Sequence, residues 1–326
     1  MTSMTMAKAL NEGLRRSLDR FPKALMIGED IGKLGGVFRI TDGLQKDFGE
    51  DRIIDSPLAE SGLVGVGVGL AMRGFRPICE IQFDGFVYPA FDQIVSQVAK
   101  QHARTSGAYK MAMVIRIPFG GHIGAIEHHS ESPESYFAHT AGLRVVSPSN
   151  PHDAYWMIQE AVACDDPVIF CEPKCRYWDK GDVDETNSGL SIWSAAVLRE
   201  GSDVTLVTYG PSVKTALHVA EVAATEGRSL EVIDLRSVAP VDFATVVASV
   251  KKTGRLVVVS EAPSTASVAA SVVATVTERA FYSLRAPALQ VTGYHVPYPP
   301  SRIESHVMPN TDRILDAVDR VMEFES

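Results

Sequence analysis

The chain has 326 residues, 45% of them hydrophobic and 22% charged, enough apolar material to bury two cores of ordinary size. Its formal net charge of −9, with no basic run, excludes a protein that grips phosphate backbones through Lys/Arg-rich faces. No segment approaches the roughly 18 uninterrupted apolar residues of a membrane span, and the N-terminus lacks the apolar core of a signal segment, so a cytoplasmic location is expected.

In chain order, MTSMTMAKALNEGLRRSLDRFP sets Met6, Leu10, Leu14 and Leu18 on one face and predicts an amphipathic helix. KALMIGED, RPICEIQF, KMAMVIRIP, LRVVSP and PVIFCEP are short apolar runs bounded by Gly, Pro or charge, and predict strands. Between them ESGLVGVGVGLAMRG, PAFDQIVSQVAKQHART and NPHDAYWMIQEAVAC predict helices. Strand alternating with helix implies a parallel sheet covered on both faces. The glycines at 62, 65, 67 and 69 do not complete G-x-G-x-x-G, because Met72 stands where the last glycine belongs. They read instead as small residues that admit close helix packing.

From Lys174 to about Leu190 the pattern lapses into the polar RYWDKGDVDETNSG, suited to a linker. A second alternating unit follows: VTLVTYG, SVKTALHVAEVAATEG, LEVIDLR, DFATVVASVKKTG, RLVVVSE, SVAASVVATVTERAF and ALQVTG. Ser212 suits a helix N-cap and Gly227 a helix stop. The closing TDRILDAVDRVMEF carries Ile314, Leu315, Val318, Val321 and Met322 on one stripe and predicts a docking helix. The expectation is two α/β domains, residues 1–185 and a smaller 190–326. Cys171 and Cys175 are spaced C-x3-C, but without a second pair they read as buried thiols rather than zinc ligands.

Chemistry is concentrated in EHHSESPESYFAH, residues 127–139. A helical zinc site needs His at i and i+4, whereas His128 and His129 are adjacent and Pro133 interrupts any helix. The glycine-rich lead-in PFGGHIGAIE makes this a loop at a strand end, where a histidine can move a proton near neutral pH. A serine nucleophile is disfavoured, since no G-x-S-x-G occurs. Glu60, in DSPLAESG, either stabilises a helix N-terminus or polarises a heterocyclic nitrogen. In EIQFDGFVYPAFDQ the aromatics Phe83, Phe86, Tyr88 and Phe91 either pack the core or offer a platform for a flat ring.

Taken together, GEDIGKLGGVFRITDGLQKDFGEDRIIDSPLAESGLVGVGVGLAMRGFRPICEIQF, FVYPAFDQIVSQVAK, HHSESPESYFAHTAGLRVVSPSNPHDA and PVIFCEPK resemble the beta subunit of thiamine-diphosphate-dependent 2-oxoacid dehydrogenases. This is the decarboxylating component of the pyruvate and branched-chain complexes, related in fold to transketolase. The resemblance runs from about Lys8 to the last helix. It implies two three-layer α/β domains, a transketolase-type pyrimidine-binding domain and a smaller transketolase C-terminal domain. It further implies a heterotetramer in which thiamine diphosphate is shared with an alpha subunit, and a dihydrolipoyl acyltransferase whose lipoyl domain accepts the acyl group. By that resemblance Glu60 bonds N1′ of the aminopyrimidine, Phe86 packs against that ring, and Glu29 and Gln82 line the site. His129 matches the histidine of H-S-Q that assists acyl transfer, although this chain reads H-S-E with Glu131. An added carboxylate there favours protonated His129 if it lies close enough, and otherwise faces water.

A potassium ion is also implied, held by Met111, Met113, Ala161, Cys164 and Asp166, with Cys164 where an aspartate is common. Thiol in place of carboxylate suits a hard cation less well. The chain has no G-D-G motif, so Mg²⁺ and the diphosphate are expected on the partner. The EIQF and YPAFDQIV segments lean towards branched-chain substrates, with pyruvate and acetoin as alternatives. A non-catalytic subunit and a single-chain transketolase-like enzyme are the competing classes.

Overall fold

The structure, a computed structural model, describes residues 1–324. Its strands in chain order are β1 (Thr2–Thr5), β2 (Ala24–Gly28), β3 (Ile53–Asp55), β4 (Arg76–Glu80), β5 (Val114–Phe119), β6 (Arg144–Val146) and β7 (Val168–Pro173). They continue with β8 (Lys180–Val183), β9 (Ala196–Arg199), β10 (Val204–Thr208), β11 (Leu230–Asp234), β12 (Ser237–Ala239), β13 (Leu256–Pro263) and β14 (Leu289–Gly293). One sheet runs β12-β6-β7-β5-β4-β2-β3 and is parallel except at β12–β6; the other runs β14-β13-β10-β11-β9 and is parallel except at β11–β9. The five expected strands of the first unit fall on β2, β4, β5, β6 and β7, and those of the second on β10, β11, β13 and β14.

The first helix, Met6–Arg20, buries Met6, Leu10, Leu14 and Leu18 completely, each worth roughly 1.5–3 kcal/mol against exposure. Thr5 caps it by accepting the Lys8 N–H at 3.2 Å. The residues before it are not helical: β1 pairs antiparallel with β8. That pairing corrects the linker expectation, because Lys180–Val183 is ordered strand inside the polar stretch. Polar composition marked a solvated segment, but a two-stranded edge ladder needs backbone groups and little apolar side chain.

PAFDQIVSQVAKQHART is not one α-helix. A 3-10 segment covers Asp84–Ala90 with Pro89 inside it, a π-helical turn covers Gln93–Val98, and a short α-helix covers Gln101–Arg104. The wider turn keeps Ile94 and Val98 both fully buried. Ser212 does not cap with its side chain; it ends a 3-10 turn, Gly210–Ser212, with helical backbone angles. Gly227 follows the helix Val213–Thr225 with φ +79°, the left-handed stop expected of it.

The two sheets are tied together. β12 leaves the second unit to extend the first sheet at β6. Beside it Arg236, buried and at φ +57°, donates to Asp153 at 2.7 and 3.0 Å and to the Ser191 and Ser194 carbonyls. No described helix is long and apolar enough to cross a membrane.

Candidate active site

Parallel pairing brings the carboxyl ends of β3, β2, β4, β5 and β7 to one edge, the usual position for a binding crevice in an open α/β sheet. The polar residues of interest leave from those ends. Glu60 follows β3, Glu29 follows β2, Gln82 to Asp84 follow β4, the His129 loop follows β5, and Lys174 follows β7.

Glu60 is the first residue of the helix Glu60–Met72 and is 8% exposed. Among the described residues its carboxylate has no hydrogen-bond or ion-pair partner, so it is an acceptor held ready at a helix N-terminus. Burial raises the Glu29 carboxyl, and the neighbouring charges of Asp30 and Glu60 raise it further, so Glu29 and Glu60 share one field. On that helix Gly67 permits the close packing expected of it, since a Cβ there would sit 2.7 Å from Cys79 Sγ. Gly62 and Gly69 lie on the exposed side instead.

Glu127–His129 forms a 3-10 turn, closed at its base where Gly120 N–H donates to the Glu131 carbonyl at 2.9 Å. The His129 ring stacks on Phe83 at 4.3 Å and meets the edge of Phe86 at 5.4 Å, and its Nδ1 is buried without a partner. Phe86 also meets His128 at 5.1 Å, so the aromatic group works as a platform for the histidine loop as well as packing on the core. Gly85 is required here: a Cβ would lie 2.2 Å from the His128 carbonyl oxygen.

Beneath the loop Asp84 accepts the Glu131 N–H at 2.7 Å and pairs with Lys174, both side chains fully buried. Burial raises the Asp84 carboxyl and lowers the Lys174 ammonium, each opposed by the other's charge. Lys174 also lies 5.7 Å from the Phe83 ring centre, on a residue that stacks against His129. The sequence reading gave Asp84 and Lys174 no role. Asp84 looked like an ordinary turn residue, and a lysine after an apolar strand looks solvated; its only signal was the position directly after PVIFCEP.

Glu131 does not bond His129 among the described residues. Its carboxylate accepts the Tyr88 O–H at 2.6 Å and lines a cleft of about 130 Å³ with Tyr136, Glu261, Tyr294 and Tyr298. Gln82 is half-buried, two residues beyond the end of β4. His139 stands exposed beyond the helix Glu134–Ala138. All four cysteines are free; Cys79 and Cys171 are buried, and burial pushes the Cys175 thiol up to about 12.

The potassium ligand set does not fit. The Val162 and Cys164 carbonyls both accept from Arg76 Nη1 at 2.9 Å, and Asp166 pairs with Arg144 at 2.7 Å. The Met111, Met113 and Ala161 carbonyls accept the N–H groups of Met113, Val168 and Cys164. Two guanidinium charges bonded to members of that set, Arg76 at the Cys164 carbonyl and Arg144 at Asp166, disfavour a further cation there.

The model for the transketolase pyrimidine-binding domain matches residues 2–178, and that for the transketolase C-terminal domain matches residues 194–314. The chain is 60% identical over 322 residues to a pyruvate dehydrogenase E1 component subunit beta of Leifsonia xyli subsp. xyli, covering 99% of this chain and 96% of that one. The chain belongs to the 2-oxoacid dehydrogenase E1 beta family. A second beta-family relative, the 3-methyl-2-oxobutanoate dehydrogenase subunit beta of Mycobacterium tuberculosis, is 52% identical over 321 residues, 98% of this chain and 92% of the relative. Among solved structures a split-gene transketolase, described as an inactive beta4 tetramer, superposes on this beta-family chain with TM-score 0.81. It is 21% identical and covers 99% of both chains, which shows the shared fold.

Proposed function

We propose that this chain is the beta half of a heteromeric enzyme that decarboxylates a 2-oxo acid with thiamine diphosphate and passes the acyl group to a lipoyl arm. The observation that carries the proposal is the partnerless, largely buried Glu60 carboxylate on the same sheet edge as the His129 loop, in a chain of this family. Such an acceptor fits the protonated ring nitrogen of an aminopyrimidine, and the nearby Glu29, whose carboxyl is raised by burial and by the charges of Asp30 and Glu60, adds to the negative field that favours a proton there. Thiamine diphosphate, when bound, supplies the electron sink for loss of CO2. The residues of this chain then have separate tasks. Glu60 holds the ring nitrogen, Phe86 and Gln82 shield and line the pocket, and His129 moves a proton as the acyl group passes to the lipoyl thiol. Mg²⁺ and the diphosphate are assigned to an alpha subunit, because this chain has no G-D-G motif. The lipoyl arm belongs to a dihydrolipoyl acyltransferase.

The two relatives named above divide between pyruvate and 3-methyl-2-oxobutanoate, and the branched-chain leaning of the EIQF and YPAFDQIV segments is tested against both. Co-expression with an alpha-type chain and thiamine diphosphate, followed by artificial-acceptor reduction with pyruvate, 3-methyl-2-oxobutanoate and acetoin, decides among them. Turnover of a 2-oxo acid only when both chains are present supports the proposal. An inert complex makes the chain a structural subunit, and turnover by this chain alone makes it a transketolase-like enzyme.

A further inference from the structure

The proposed chemistry uses no residue of the second domain, yet the His129 loop is staked to that domain at both ends. At the entry, Gly121 N–H donates to Glu261 Oε2 at 3.0 Å, and His122 N–H donates to Glu304 at 2.7 Å. At the exit, Glu134 opens the helix Glu134–Ala138 and is 1% exposed. Its Oε1 accepts the Tyr209 O–H at 2.7 Å, from just beyond the end of β10, while Oε2 is buried with no partner. Between the stakes, residues 122–124 and 126–128 are exposed.

A fully buried carboxyl is a poor choice for packing alone, since an apolar group of similar size fills the same volume without desolvation. Further buried hydroxyls, on Ser147 and Thr208 without a partner among the described residues and on Ser260 near Tyr209, lie on the same seam. Ser260 lies on β13, the neighbour of β10, and Ser147 Oγ stands 2.4 Å from the position a Cβ on Gly210 would take. Within that seam the directional bond from Tyr209 to Glu134 fixes one arrangement where an apolar contact tolerates sliding.

We propose that the Glu134–Tyr209 hydrogen bond across the domain seam is a positioning device that sets the placement of His129 for acyl transfer. The inference rests on the acyl-transfer reading of His129. Glu134 and Tyr209 are buried beneath the loop and act through it. A misplacement on the order of 1 Å in such a group costs up to about 100-fold in rate. The effect falls on the step that needs His129 and spares the one that needs Glu60, which follows the edge strand β3 while the His129 loop follows the central β5.

The test uses the assembled alpha–beta complex with thiamine diphosphate and measures two half-reactions. These are decarboxylation with an artificial electron acceptor, and reductive acylation of a free lipoyl domain. Tyr209→Phe is expected to lower kcat for reductive acylation about 10- to 100-fold, with KM for the 2-oxo acid and the artificial-acceptor rate within about twofold. Glu134→Leu, which removes the acceptor and keeps the volume, should behave alike. Glu134→Gln retains an oxygen for Tyr209 and should restore reductive acylation to within about threefold. An equal fall in both half-reactions, or wild-type acylation in Tyr209→Phe, overturns the inference. A wild-type complex lacking both half-reactions removes the functional reading beneath it instead.

Discussion

His129 owes its position to ring contacts and to the backbone of its own turn. Phe83 on one face, Phe86 at the edge and the bond from its N–H to the Ile126 carbonyl hold it, and Nδ1 remains unpaired. Replacing it with Ala should lower reductive acylation of a lipoyl domain by about 100-fold or more, as loss of a general acid–base group does. Full retention of the lipoyl-dependent rate would remove the role. Glu131 carries the opposite expectation, because Tyr88 occupies its carboxylate and no bond joins it to His129 among the described residues. Glu131→Gln keeps an acceptor for Tyr88 and should leave the lipoyl-dependent rate and its pH profile within about twofold. A displaced pH profile would show that the carboxylate does act on the imidazole. The sequence drew attention to this loop but left the direction of its carboxylate open, since a spacing of two residues across a turn does not fix which way a side chain points.

At the scale of elements, the longer central strands were legible because they are largely buried apolar runs, as in ALMIG and VIFCEP. The edge strands β1, β3, β8, β9 and β12, only three or four residues long, were not, and neither was the break of PAFDQIVSQVAKQHART into 3-10, π and α turns. That break is what lets the Asp84–Gly85 turn lie directly under the histidine loop. Asp84→Asn leaves the buried Lys174 ammonium without its counter-charge and should cost about 3–5 kcal/mol in denaturant unfolding. Gly85→Ala forces the His128 carbonyl away and should cost about 1–3 kcal/mol along with much of the lipoyl-dependent rate. Wild-type stability in either variant would show that the loop is seated by other contacts.

At the scale of the whole molecule the two large sheets meet across a seam that carries buried polar groups, and that seam has a pH signature. Burial pushes the Glu134 carboxyl up to about 7, helped by the charges of Glu261 and Asp84 and opposed by the Tyr209 bond. Burial also raises Asp234 to about 7, helped by Asp153 and opposed by the Ser149 bond and by Arg236. In the unfolded chain such carboxyls titrate near pH 4, so between about pH 4 and 7 the folded state keeps protons that the unfolded state has released. Their contribution to stability is therefore fully present below about pH 4, declines across that window and is lost above about 7. Asp165, Asp179 and Asp242 are lowered and act with the opposite sign, below the ordinary carboxylate range. Glu134→Gln should accordingly gain in melting temperature relative to the wild type as pH rises from about 5 to 8. A difference independent of pH would contradict the raised carboxyl.

The seam itself was illegible in the sequence. Glu134, Tyr209, Asp153 and Arg236 come from distant segments, and nothing in their local patterns announces that they meet. The central claim, that this chain completes a thiamine-diphosphate site with an alpha subunit, is tested most directly by titrating purified chain with such a partner. 2-Oxo acid-dependent reduction of an artificial acceptor is followed in wild type and in Glu60→Gln. The account predicts activity that saturates at equal amounts of the two chains and falls by about 100-fold or more in the variant. Undiminished activity in Glu60→Gln, or none in the wild-type complex with any 2-oxo acid, would contradict it.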